Sequence, residues 1–162
     1  MQELFWELTQ LWPEYRKNRT TSATHPAHEL VVRQIPAALE HWTANPERYK
    51  FVGSDGQGNI SLAPWFAVLD LEKTSSATRG YYLVYLLDET LSTLNLSIGF
   101  GAYQYQEIHG QGKAFFNAAK EAVIGMQVNT KSSLDILGSD VHSRLVIGGP
   151  KLTNGKDFQL RA

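Results

Sequence analysis

Apolar residues near the start of the chain recur with helical spacing. They form an i, i+3, i+4, i+7 stripe that consists of Leu4, Phe5, Leu8, Leu11 and Trp12. This spacing predicts a helix over residues 3–17. Further along, Pro26 predicts a helix start and Pro36 an interruption. We therefore expect one helix over residues 26–34 and a second, short helix from residue 37 to residue 42.

The pattern changes to that of strands in the middle of the chain. A short strand is predicted over residues 49–52, and a polar loop with three glycines over residues 53–59. Three longer strands follow over residues 60–71, 81–87 and 91–98. The first is a continuous apolar run, which is typical of a strand covered on both faces, and Pro64 near its start predicts a bulge or an edge.

Period-two alternation assigns the side chains of the second and third long strands to opposite faces. On residues 81–87, Tyr82, Val84 and Leu86 share one face, opposite Tyr81, Leu83, Tyr85 and Leu87. On residues 91–98, Asn95 and Ser97 share one face, opposite Leu94, Leu96 and Ile98.

The last third of the chain is less regular. A helix is predicted over residues 112–127, with an inner side that comprises Phe115, Phe116, Ala119, Val123 and Met126. A short strand is predicted over residues 144–147, while the topology of residues 129–162 does not follow from the pattern. Helices followed by strands and further helices predict a single α+β domain over residues 1–162.

Composition narrows the class of protein. Hydrophobic residues make up 43% of the chain and aromatic residues 11%, as in a globular domain. No apolar run approaches the roughly 20 residues of a membrane span, and the start of the chain does not resemble a secretory signal. The chain has no cysteine, which excludes disulfides and thiolate metal sites. We expect a cytoplasmic location and no membrane partner.

The charged residues and the histidines do not by themselves indicate a nucleic-acid-binding or metal-binding function. The net charge of −1 counts against a protein that depends wholly on phosphate contacts. His25, His28 and Glu29 lack a further ligand at a telling distance, so a helix cap is favoured over a metal site. The basic cluster of Arg16, Lys17 and Arg19 is either a solvated helix end, which is favoured, or a patch that contacts phosphates.

The sequence contains segments that match known catalytic motifs only in part. Residues 149–156 resemble a phosphate-binding loop, but the glycine spacing is one residue too long and Asp157 occupies the metal-binding Ser/Thr position. Asp70, Glu72 and Lys73 resemble a nuclease metal centre, yet adjacent strand residues point to opposite faces. No GxSxG motif is present. We therefore expect a non-catalytic domain without metal or cofactor.

The glycine-rich segment, residues 53–59, permits two interpretations. Glycines at this density allow positive φ angles and let another molecule approach the backbone. An ordinary hairpin connection is the alternative, and composition alone favours it.

Several motifs of the central segment occur in an order that resembles the amino-terminal domain of McrB-type restriction proteins. The motifs are GSDGQGN at 53–59, PWFA at 64–67, TSSA at 74–77, GYYLVYL at 80–86 and LNLSIG at 94–99. The resemblance implies a curved, mostly antiparallel sheet with flanking helices. It also implies a DNA-specificity domain of a modification-dependent restriction system active in phage defence. We then expect the chain to be the amino-terminal part of a longer restriction protein, with cleavage and nucleotide hydrolysis on other domains or subunits.

The resemblance also implies a binding mode and its residues. Characterised members recognise a methylated cytosine in double-stranded DNA and flip it into a pocket, whose positions match Trp65, Tyr82 and Leu86. A wedge loop that replaces the flipped base matches Gly56, Gln57, Gly58 and Asn59, with glutamine where those members carry an aromatic residue. The candidate phosphate contacts are Lys73, Ser75, Ser76 and Arg79, with Arg16, Lys17 and Arg19 as a weaker set.

A second hypothesis gives the same aromatic residues a different role. Without the resemblance, Trp65, Tyr82 and Leu86 are interpreted as ordinary core residues. The chain would then be an interaction domain that tethers an effector to a protein or small ligand.

Overall fold

The computed structural model describes residues 1–136, 145–146 and 159–160. The helices are α1 (Gln2–Lys17), α2 (Pro26–Glu29), a π-helical segment (Leu30–Gln34), α3 (Ile35–His41), α4 (Ala102–His109) and α5 (Lys113–Ile136), with a 3₁₀ turn at Pro46–Arg48. The strands are β1 (Tyr49–Gln57), β2 (Asn59–Asp70), β3 (Tyr81–Leu87), β4 (Leu94–Phe100), β5 (Leu145–Val146) and β6 (Gln159–Leu160).

Strands β1 to β4 form one antiparallel sheet in chain order, and β5 pairs with β6 in a second sheet. The predicted α+β class, with an antiparallel sheet and flanking helices, is confirmed. The short strand predicted over residues 144–147 is confirmed at Leu145–Val146. The loop-like motif at residues 149–156 lies outside the described residues.

The predicted break at Pro36 is wrong, because the helix runs on through it. In the preceding π-helical segment, the Ile35 N–H donates to the Leu30 carbonyl, five residues earlier. Pro36 follows as the second residue of α3 and has no N–H to donate to the preceding turn, whose hydrogen-bond spacing is already widened to five residues. The widened turn therefore accommodates the proline.

Helices α1 to α3 cover one face of the sheet. Their core cluster contains Leu8, Trp12, Tyr15, Ala27, Leu30, Val31, Ile35, Phe66 and Leu87. Phe5 meets the Phe66 ring edge to face at 5.5 Å, and the Trp12 indole N–H donates to the Leu62 carbonyl. Each large side chain of this kind stabilises the fold by about 1.5–3 kcal/mol through burial.

A smaller cluster forms where the sheet ends. Phe100, Ala102, Phe115 and Ala119 are buried together, which places α4 and α5 against the end of β4. The predicted inner side of α5 is confirmed at Phe115 and Ala119, whereas Phe116 is 36% exposed. Helix α5 extends beyond the predicted end, to Ile136. In the described part of the chain, no helix is long and apolar enough to cross a membrane.

Candidate functional site

The three predicted pocket residues share one face of the two central strands. Trp65 of β2 pairs directly with Leu86 of β3, and Tyr82 lies four residues from Leu86 on the same face. Between them, Ala67 pairs with Val84, and both are buried. Trp65, Tyr82 and Leu86 are half-buried. The arrangement therefore has Ala67 and Val84 in the middle and an aromatic residue near each end, at backbone positions about 13 Å apart along the strand.

Gly99 determines where the Tyr82 ring lies. Tyr82 pairs with Gly99 of β4, and a Cβ at Gly99 would stand 2.5 Å from Cε2 of the ring. The ring therefore occupies the space that a side chain on β4 would need. Burial raises the pKa of Tyr82 above its ordinary value. Sequence reasoning missed Gly99, although it follows Asn95 and Ser97 on the polar face of β4.

We expect Gly99→Ala to displace the Tyr82 ring and to lower the free energy of unfolding by about 1–3 kcal/mol, as overpacking does. Urea unfolding measures this change. The same substitution in a Tyr82→Ala background is expected to cost less, because the ring is gone. Ser97→Ala, on the same face of β4, is the matched control. An equal loss in both Tyr82 backgrounds would contradict the contact.

The glycine-rich segment is not the predicted loop. Residues 53–57 continue β1, and a tight turn at Gly58 joins β1 to β2, with Gln57 paired to Asn59. The hairpin alternative is confirmed. One residue on β1 and four on β2, residues 61–64, lie between the pairs Ser54–Trp65 and Gly56–Ile60, so the predicted bulge near Pro64 is confirmed as well.

Each glycine of the hairpin meets different surroundings. A Cβ at Gly53 would stand 1.7 Å from the Val31 carbonyl oxygen, so the π-helical segment makes the close approach. A Cβ at Gly56 would stand 2.0 Å from the Asn59 carbonyl oxygen. Only Gly58, at φ +77°, has nothing within 4 Å. The open part of the hairpin is thus its tip, residues 56–59, where Gln57, Gly58 and Asn59 are exposed.

A segment that follows α1, here called the strap (residues 18–22), holds this tip. The Thr21 N–H donates to the Gly58 carbonyl, and the Ile60 N–H donates to the Arg19 carbonyl, both at 3.0 Å. Arg19 adopts φ 61° at this point. The structure therefore brings Arg19, of the weaker basic set, beside the candidate wedge, with Arg16 and Lys17 at the end of α1 just before it. Arg16 and Arg19 are exposed there, while Lys17 pairs with Glu14.

The other candidate phosphate contacts lie at the opposite end of β2. They belong to the connection between β2 and β3, residues 71–80, which β2 separates from the hairpin tip by about 36 Å of extended chain. The structure does not bring the two predicted sets together. The pocket residues lie on the strands between them.

The side chains of this connection differ in how freely they can bind. Lys73 and Ser75 are exposed, whereas the Ser76 hydroxyl accepts from the Thr78 N–H at 3.2 Å. Arg79 forms an ion pair of 2.5 Å with Glu107 of α4, and its guanidinium lies 5.4 Å from the centre of the Tyr103 ring. Arg79 is therefore oriented by α4.

The approximate nuclease centre is bridged by an arginine. Arg48 forms ion pairs with Asp70 at 2.6 Å and with Glu72 at 3.2 Å. The hydrogen bond from Arg48 holds the pKa of Asp70 below its usual value. Glu72 and Lys73 lie in a turn after β2, not on a strand as assumed above.

The histidines near α2 have two structural roles. His25 caps α2, because its Nδ1 accepts from the Ala27 N–H at 3.2 Å, which confirms the predicted cap. His28 instead places its Nδ1 2.7 Å from Asp55 Oδ2. Among the described residues, no group of three or more His, Asp or Glu side chains is arranged to hold a metal ion.

Asp55 was missed by sequence reasoning, which assigned it to a polar loop. It lies on β1 at the register shift, opposite the bulged part of β2, and is 3% exposed. Its Oδ2 also accepts a 2.5 Å hydrogen bond from the Tyr15 hydroxyl, which in turn accepts from the Ser22 N–H at 3.0 Å. Burial, and next the hydrogen bond to Asp55, raises the pKa of Tyr15 to about 12. We call Tyr15, Ser22, His28 and Asp55 the buried polar cluster.

Comparison with known proteins identifies one family. The model of the MrcB-like, N-terminal domain family matches residues 7–143. The match includes the hairpin, the strap, the buried polar cluster and all three pocket residues. Searches of curated proteins and of solved structures found no match.

Proposed function

Since the chain belongs to the MrcB-like N-terminal domain family, the DNA-binding type of domain found in McrB-like restriction proteins, we propose that it reads a modified cytosine in duplex DNA by flipping the base out of the stack. The base enters between the half-buried rings of Trp65 and Tyr82. The observation that carries the proposal is the direct pairing of Trp65 with Leu86, with Tyr82 on the same face.

The free energy gained by binding the flipped base is similar in size to the free energy that flipping costs. Taking a base out of the stack costs a few kcal/mol. Stacking on an aromatic side chain contributes about 1–3 kcal/mol, and burial of a 5-methyl group against Leu86 about 0.8 kcal/mol. A modified base therefore offsets the flipping cost better than an unmodified one, which is how the pocket discriminates.

Two further parts complete the binding mode. The exposed Gln57 enters the gap that the base leaves, and its amide hydrogen-bonds the unpaired guanine. Arg16 and Arg19 contact phosphates near the wedge, and Lys73 and Ser75 contact phosphates at the far end of β2. A span of about 36 Å corresponds to roughly ten base pairs, so contacts fall on both sides of the flipped base.

In this proposal the domain is a non-catalytic specificity element of the cytoplasm. Other domains or subunits of the restriction complex, in a longer protein, carry out cleavage and nucleotide hydrolysis. What supports the absence of catalysis is the family and the engagement of Asp70 and Glu72 by Arg48.

A fluorescence-anisotropy titration tests the proposal. Matched duplexes carry cytosine, 5-methylcytosine, 5-hydroxymethylcytosine or N6-methyladenine, at two salt concentrations. We expect at least about fourfold tighter binding to one duplex with a modified cytosine, as burial of one methyl group contributes, together with an affinity that falls at the higher salt. Equal affinity for all four duplexes would contradict the reader function. Binding to none would favour the interaction domain with the aromatic residues as core.

A further inference from the structure

The buried polar cluster lies beneath the hairpin and takes no part in the candidate pocket. A carboxylate that is 3% exposed is unfavourable unless its oxygens are satisfied by specific partners. Asp55 has two such partners, the Tyr15 hydroxyl and His28 Nδ1. An apolar side chain in place of Asp55 would avoid the cost of burying a carboxylate. Stability of the core alone therefore does not explain the cluster.

The cluster joins four separate segments at one point. Tyr15 belongs to α1, Ser22 to the strap, His28 to α2 and Asp55 to β1. The Tyr15 hydroxyl is the centre, because it donates to Asp55 and accepts from Ser22. One oxygen atom thus links α1, the strap and the hairpin.

The links continue from the cluster to the tip. Thr21, next to Ser22, donates to the Gly58 carbonyl, and Ile60 donates to the Arg19 carbonyl. Asp55 is two residues from Gln57 along β1. The tip is therefore held on both of its strands, although its own side chains are exposed.

We infer that the Tyr15 hydroxyl and the Asp55 carboxylate are positioning groups that hold the hairpin tip, residues 56–59, in the orientation required to enter the duplex. This inference rests on the proposed function. Neither group touches the DNA. A tip that is ordered before binding loses less conformational entropy on insertion, so the bracing increases affinity for the flipped state.

Tyr15→Phe tests the inference, because it removes only the hydroxyl and keeps the ring that packs against Trp12 and His25. In the free protein, we expect amide exchange of Thr21 and Ile60 to accelerate at least tenfold more than exchange in β3. With DNA, we expect at least tenfold weaker binding to the preferred duplex and unchanged binding to the unmodified one. A 2-aminopurine beside the modified cytosine should lose its fluorescence increase at a fixed protein concentration.

Ile35→Val is the control for a general loss of stability, since Ile35 is fully buried in α3 and does not belong to the buried polar cluster. This substitution should not change the ratio of the Thr21 amide-exchange rate to the rates in β3, and it should not change the preference between duplexes. Asp55→Asn, which keeps the shape and an acceptor oxygen, serves as the second variant if Tyr15→Phe does not fold.

The outcomes separate the two proposals. If the wild-type protein discriminates between the duplexes, and Tyr15→Phe changes neither this discrimination nor the amide exchange of Thr21 and Ile60, the positioning role alone is overturned. Faster exchange with unchanged DNA binding would also overturn it, because the cluster would then be structural only. No discrimination by the wild-type chain would overturn the proposed function, and the role of the cluster in DNA entry with it.

Discussion

Trp65→Ala is expected to remove most of the preference for modified DNA while the protein stays folded. Loss of one stacking face, worth about 1–3 kcal/mol, corresponds to about a 5- to 150-fold weaker affinity for the preferred duplex. Affinity for the unmodified duplex should not change, because the unflipped base does not reach the ring. Anisotropy titrations with both duplexes, together with urea unfolding of each variant, measure the two effects.

Trp42→Ala is the matched control for this experiment. Trp42 is 77% exposed and lies directly after α3, away from the pocket face. It should alter neither stability nor discrimination. If Trp65→Ala instead costs about 3–5 kcal/mol of stability and leaves discrimination intact, then Trp65 is a core residue and the interaction-domain hypothesis gains support.

Gly53→Ala is expected to lower the stability of the fold strongly. An added Cβ would stand 1.7 Å from the Val31 oxygen and 2.8 Å from its carbonyl carbon. Both atoms belong to the backbone of the π-helical segment, so no side-chain rotation relieves the contact. We expect a loss of about 3 kcal/mol or more, at the upper end of what overpacking costs. Urea or thermal unfolding measures it.

Gly58→Ala provides the comparison within the same hairpin. No atom lies within 4 Å of the added Cβ, and only the positive φ opposes it, so the loss should be about 1 kcal/mol. Both substitutions restrict the unfolded chain equally, which cancels that contribution. Similar losses at both positions would show that β1 does not pack against Val31 as described.

The strands were predictable where alternation alone defines them. The bounds of β3 and the shared face of Tyr82 and Leu86 follow from the period of two, and both are as predicted. The pairing of Trp65 with Leu86 does not follow from it, because a ten-residue connection separates β2 from β3. Register across such a connection depends on packing that a local pattern does not contain.

The secondary-structure predictions were wrong where tertiary contacts override the local sequence pattern. Pro36 normally ends a helix, but a π-helical turn before it lets the helix continue. Residues 53–57 read as a loop because glycines dominate, yet pairing with β2 makes them a strand. Helix α4, flanked by Gly101 and Gly110, was not predicted at all.

The burial of Asp55 is the feature that the sequence pattern predicts least. A single aspartate among glycines is typical of an exposed turn. Its burial depends on a tyrosine 40 residues earlier and a histidine 27 residues earlier. No spacing rule connects positions so far apart, so the cluster could be found only from the structure.

The order of strands in the sheet has a consequence for synthesis of the protein. In the described part of the chain, β1 to β4 follow one another in the sheet in chain order, so each of these strand pairings can form as soon as the next strand leaves the ribosome. Tyr15, Asp55 and the hairpin need nothing beyond Asp70 for their contacts. We therefore expect the braced hairpin to assemble on the nascent chain first, and the surface that receives the base to be completed only once β3 has emerged.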